Sequence, residues 1–162
     1  MIDSSAFTKI AVVTDRDQRR ISSICDSIKS SFNPVITDVE NNAWRKNSYK
    51  NSYGQIVDVD FFMLVIPSEK EGALETLLLD AISEDPYDEV IVDRSKEYVD
   101  HITPQAARYI QNDRLKLKAY LGVAWAIQYP SKVFTLIDEQ MRTVQWEKSS
   151  ILEDCFRILK LI

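Results

Sequence analysis

The sequence predicts an α/β domain with a central, mostly parallel sheet flanked by helices and a helical C-terminal third, and three observations carry that expectation. Two short apolar runs, residues 9–14 and 61–66, each lead into a segment of helical spacing. A weaker run at 35–39 alternates as a third strand would. Beyond residue 112 the spacing is helical throughout. Strands separated by amphipathic helices favour parallel pairing, because each crossover needs a helix to cover the sheet.

The first run, Lys9-Ile10-Ala11-Val12-Val13-Thr14-Asp15, is β-branched and apolar, the pattern of a buried strand. It ends on Asp15-Arg16-Asp17. Two carboxylates one residue apart at a strand mouth suit a hard cation such as Mg2+, which prefers carboxylate oxygens. The alternative is that Asp15 ends the strand and Asp17 caps the next helix. Ile21, Ile24, Cys25 and Ile28 give the helix expected over 18–31 its apolar stripe, and Asn33-Pro34 stops it.

Residues 41–54 depart in composition, with four asparagines, two serines and a glycine, and read as a loop. Arg45, Lys46 and Lys50 alternate there with Trp44, Tyr49 and Tyr53, and no acid interrupts them. Rings that stack bases beside cations that meet phosphates are what single-stranded nucleic acid needs. The favoured reading is a solvated hairpin or β-α loop whose aromatics fold back on the core; a mobile segment and a partner contact are further alternatives.

The run at 61–66 is the most hydrophobic and should be a central strand ended by Pro67. A helix over 72–84 follows, with Leu74, Leu77, Leu78, Ala81 and Ile82 on one stripe and Glu71 and Glu75 beside it. For residues 87–99 periodicity leaves strand and helix open; the charged flanks favour a helix. Asn112 or Asp113 caps a helix to about Tyr129, and its first turns carry Arg114, Lys116 and Lys118. Cations there oppose the macrodipole and hint at an external acidic partner, although lysines also solvate surfaces. A helix over 132–141 and a last one capped by Ser149 or Ser150, with Ile151, Leu152, Cys155, Phe156 and Leu159 facing inward, complete the chain. The core should include Val12, Ile24, Leu64, Leu74, Leu78, Leu121 and Phe156.

At 162 residues, 45% hydrophobic and 28% charged, the chain suits a single domain, 1–162, able to bury a core without staples. The first eight residues lack a signal-peptide pattern, and no run approaches the roughly 18 apolar residues of a membrane span. The expectation is a cytoplasmic protein with no membrane contact. Cys25 and Cys155 lack partners at metal-ligand spacing and read as buried free thiols. His101 stands near a helix end with no nucleophile motif to serve. A net charge of −5 excludes a whole-molecule field for polyanions, so any nucleic-acid contact must be a local patch.

Three stretches taken together resemble a family of uncharacterised bacterial and archaeal proteins with a Toprim-like fold, related to the Toprim domains of OLD-type nucleases, topoisomerases and primases. They are the strand ending in Asp15-Arg16-Asp17, the strand and proline at 62–67 followed by Gly72-Ala73-Leu74-Glu75-Thr76-Leu77-Leu78, and the basic helix start at 113–121. The resemblance implies a compact α/β domain in which Asp15 and Asp17 hold Mg2+ and Glu75 is the auxiliary, catalytic acid. In such enzymes the ion stabilises charge on a phosphodiester. Only Asp3 precedes the strand, so the upstream glutamate motif of those enzymes is not found in this stretch: either an N-terminal piece lies outside this chain or the activity is degenerate. Two functions follow as expectations. One is Mg2+-dependent processing or binding of nucleic acid, with Arg45, Lys46, Lys50, Lys116 and Lys118 on phosphates. The other is a non-catalytic protein-interaction domain of a defence or ATPase-linked system.

Overall fold

The computed structural model describes residues 8–132, 142 and 146–157. Chain contacts fall into two compact units, Met1–Gly72 and Ala73–Ile162.

The first unit carries β1 (Lys9–Asp15), α1 (Ile21–Phe32), β2 (Ala43–Lys50) and β3 (Ile56–Ile66). The sheet order is β1-β3-β2, with β1 parallel and β2 antiparallel to β3. The sheet is therefore mixed. The physical reason lies at 51–55, where Asn51 Oδ1 accepts from the backbone of Tyr53 at 3.0 Å and Gln55 at 2.9 Å. Gly54 supplies the positive φ of 79° that closes this hairpin. A hairpin joins only antiparallel strands. The expected loop at 41–54 is thus β2 and its turn.

Residues 35–39, expected as a strand, are not one. Ile36 and Val39 are buried all the same, because the side chain of Asn47 on β2 takes the place of a ladder partner. Its Oδ1 accepts from the backbone of Thr37 at 2.8 Å and Asp38 at 2.7 Å, and its Nδ2 donates to Asp38 O at 3.0 Å. One side of the sheet packs α1 and this segment in a core that includes Ile24, Ile36, Tyr49, Phe61 and Met63. β3 is central, as expected, and Phe61 to Ile66 are all buried. β1 is not the buried strand its sequence suggests. It forms an edge, Val12 is half-buried, and Val13 is 49% exposed.

The second unit contains α2 (Leu74–Ile82), α3 (Pro86–Ile102), α4 (Asp113–Gln128) and α5 (Ser150–Phe156), with short 3-10 turns at Pro130–Lys132 and Trp146–Lys148. α2 buries Leu77, Leu78, Leu79, Ala81 and Ile82, while Leu74 lies exposed at its first turn rather than in the core. Residues 87–99 are helical: Pro86 opens α3 with a pre-set φ, and Asp85 Oδ1 accepts from Tyr87 N–H at 2.9 Å. Asn112 caps α4 through Leu115 N–H at 3.0 Å, and Ser149 caps α5 through Leu152 N–H at 3.2 Å. Leu121 is buried as expected, whereas Phe156 is half-buried. The helix expected over 132–141 lies, from residue 133 on, outside the described residues, as does Leu159. Among the described residues no helix is long and apolar enough to cross a membrane.

Candidate functional site

At the carboxyl end of β1 the chain turns under tight backbone control. Arg16 N–H donates to Ile66 O at 2.8 Å, and Asp17 and Gly72 exchange two backbone hydrogen bonds of 2.6 and 2.9 Å. Asp17 holds φ at 53°, a left-handed conformation that aspartate tolerates better than most residues. Arg16 Nη1 donates to Ser68 O at 2.9 Å, and Arg19 Nη2 donates to Asp15 O at 3.1 Å. Arg19 also lies 4.0 Å from Asp17 Oδ2, both side chains being nearly half exposed. α1 begins at Ile21 with Arg20 as its N-cap and no side-chain cap bond, so Asp17 does not cap this helix. The turn carries two carboxylates and two guanidiniums on a backbone pinned to the loop after β3.

Among the described residues no three His, Cys, Asp or Glu side chains form a group suited to a metal ion. Asp15 and Asp17 are thus only two carboxylates, short of the ligand number that an all-protein metal cage needs.

Of the cations of β2, Arg45 and Lys46 find acids within the first unit. Arg45 forms a close ion pair with Glu40 and lies 3.9 Å from Asp38. Lys46 stands in register with Asp60, which has Lys9 in register on its other side. Lys50 pairs in register with Ile56 and is exposed. Of the aromatics, Tyr49 is buried in the core, and Trp44 sits on Phe62 with ring centroids 5.3 Å apart. Tyr53, at the hairpin tip, is 85% exposed.

In the second unit Glu75 lies in the first turn of α2, and Lys118 on α4 lies 4.0 Å from its Oε1. Lys116 Nζ contacts Asp100 on α3 at 2.7 Å, and Tyr120 O–H donates to the same carboxylate at 2.5 Å. The bond from Lys116 and then that from Tyr120 hold the Asp100 carboxyl below its ordinary range, and Asp100 in turn raises Lys116. Burial, then the Asp100 bond, raises Tyr120. The basic start of α4 thus meets acids of its own unit. His101 is exposed in the last turn of α3. Burial raises the thiols of Cys25 and Cys155, the opposite of an activated nucleophile.

Sequence reasoning missed Glu84, whose Oε1 accepts from Ser150 N–H at 3.1 Å, from Ile151 N–H at 3.3 Å and from the Ser150 hydroxyl in a short bond. Glu84 and Ser150 are 66 residues apart, and no local pattern announces the pair. A cavity of about 460 Å³ beside it is lined by Glu84, Asp85, Asp88, Gln128, Trp146 and Lys148 among others, and by none of the candidates taken from the sequence.

Compared with known proteins, the chain matches no curated protein and no solved structure. One family matches over residues 1–160, nearly the whole length. The chain belongs to that family, whose description is Protein of unknown function (DUF3226).

Proposed function

We propose that this chain is a Toprim-like module that binds nucleic-acid phosphate through Mg2+ carried on Asp15 and Asp17. The observation that supports this reading is the turn after β1: its backbone is fixed by Ile66 and Gly72, and Asp17 is not spent on capping α1. Open α/β sheets present ligands beyond the carboxyl ends of their strands, and β1 and β3 run parallel to that end. Mg2+ bound by one or two carboxylates would draw its remaining ligands from water and phosphate, supplying charge neutralisation where phosphate oxygens meet the acids. Binding is the reading put forward. For processing, Glu75 would be the auxiliary acid, and Glu75→Gln should then leave binding intact and remove any cleavage.

The test is melting in millimolar Mg2+ against EDTA. At about ten times the dissociation constant a native-state ligand adds about 1.4 kcal/mol, or about 3–6 °C for a chain of this size. Asp15→Asn and Asp17→Asn should each abolish the increment. A fluorescent oligonucleotide should bind in Mg2+ and be released by EDTA. Equal melting points with and without metal would turn the reading to the protein-interaction domain. That second reading draws its own support from the cations, since Arg45, Lys116 and Lys118 are already answered by Glu40, Asp100 and Glu75.

A further inference from the structure

β1 combines the sequence of an interior strand with the position of an edge strand. From Ile10 to Thr14 no charge, proline or glycine interrupts it, whereas edges are ordinarily blunted by such residues. Among the described residues no strand lies beyond it, Ala11 is exposed and Val13 is 49% exposed. The direction of its backbone groups is fixed by two bonds: Thr8 O accepts from Asp60 N–H at 2.9 Å, and Arg16 N–H donates to Ile66 O at 2.8 Å. Even-numbered residues therefore face β3, and Lys9, Ala11, Val13 and Asp15 turn their N–H and C=O groups outward.

We infer that this edge pairs with β1 of a second copy of the chain, antiparallel and centred on Val12, to make a continuous six-stranded sheet. Twofold symmetry requires the two edges to run antiparallel. In the register that overlaps the whole strand, Ala11 faces Val13, Ile10 faces Thr14, and Val12 faces its own counterpart. Lys9 then faces Asp15 of the second copy at both ends, so the strand is complementary in charge to itself. A parallel arrangement would set Lys9 on Lys9 and Asp15 on Asp15, which is unfavourable. The outward groups of Ala11 and Val13 supply four ladder bonds. Asp15 O already accepts from Arg19 at 3.1 Å, which marks where the ladder ends. Pairing covers Val12 and Val13, and so accounts for an apolar strand left half open in the single chain. This inference does not rest on metal binding but shares Asp15 with the proposed metal site, so it is tested without metal.

The experiment is sedimentation in EDTA from micromolar to millimolar protein. Wild type should pass from monomer to dimer. Ala11→Pro removes only an outward N–H, so circular dichroism should be unchanged and the dimer lost. Lys9→Glu should weaken dimerisation about tenfold, and Lys9→Glu with Asp15→Lys should restore it. A wild type that stays monomeric throughout overturns the inference. So does a dimer indifferent to Ala11→Pro, or, should that variant unfold, a charge reversal that the double exchange does not rescue.

Discussion

Asparagine is the residue whose meaning the sequence conceals. Asn41, Asn42, Asn47 and Asn51 in a stretch of fourteen residues suggest a loop, since a short amide competes with the backbone for its own hydrogen bonds. Here Asn41 and Asn47 do the same work between segments, while Asn51 does it locally. Asn41 Oδ1 accepts from Val65 N–H at 2.8 Å, Asn47 ties down residues 37–38, and Asn51 closes the hairpin. Nothing local distinguishes the two uses, because the partners of Asn41 and Asn47 lie 24 and about ten residues away. Asn47 is 3% exposed, and its removal loses three part-buried hydrogen bonds to residues 37–38. Asn47→Ala should cost about 1–4 kcal/mol in urea unfolding, at roughly 0.5–1.5 kcal/mol net for each bond lost. A loss of a few tenths would mean that residues 37–38 hold their place without it.

Elements with local signals were legible, and those defined by distant partners were not. Asp85-Pro86, Asn112 and Ser149 mark the starts of α3, α4 and α5 in the sequence and do so in the structure. β2 was hidden by its composition, and the seating of α5 by its reliance on Glu84. That carboxylate sits at the N-terminus of a seven-residue helix, where backbone N–H groups and the dipole favour negative charge. Burial would raise the Glu84 carboxyl, but hydrogen bonds from Ser149, Ser150 and Ile151 outweigh it and hold it below the usual glutamate range. The folded carboxyl thus binds its proton less readily than the unfolded one. Its stabilisation is fully present above the unfolded value and is lost as pH falls through the folded one. Melting followed down the acid limb should therefore show a loss in wild type that is smaller in Glu84→Gln, with the two curves nearest each other at the lowest pH. Parallel curves would show that Glu84 gives α5 no charge-dependent support.

For the whole molecule, the α/β class was legible because the apolar periods of β3 and the helices are long and clean, while the mixed character of the sheet rests on one hairpin turn. The candidate site was legible as residue types and not as relations. Asp15 does end β1, with Asp17 two residues on, but the acids facing Arg45, Lys46, Lys116 and Lys118 could not be read from spacing. On the proposed reading, those acids would decide how the molecule meets a polyanion. With a net charge of −5, long-range attraction is absent, and affinity must come from contacts that displace counterions. If Arg45, Lys46, Lys50, Lys116 and Lys118 all met phosphates of a duplex, log K would fall against log salt with a slope of about −4.5. Raising salt fourfold would then weaken binding by about 500-fold. Arg45, Lys116 and Lys118 are paired and Lys46 stands beside Asp60, so Lys50 is the contact expected to count. At fixed Mg2+ the slope should be about −1, a loss of roughly fourfold over the same range. Fluorescence anisotropy of a labelled duplex, titrated at several salt concentrations, measures it directly. A slope near −4.5 would mean that the internal ion pairs open on binding and that the basic residues, rather than Mg2+ at Asp15 and Asp17, carry the affinity.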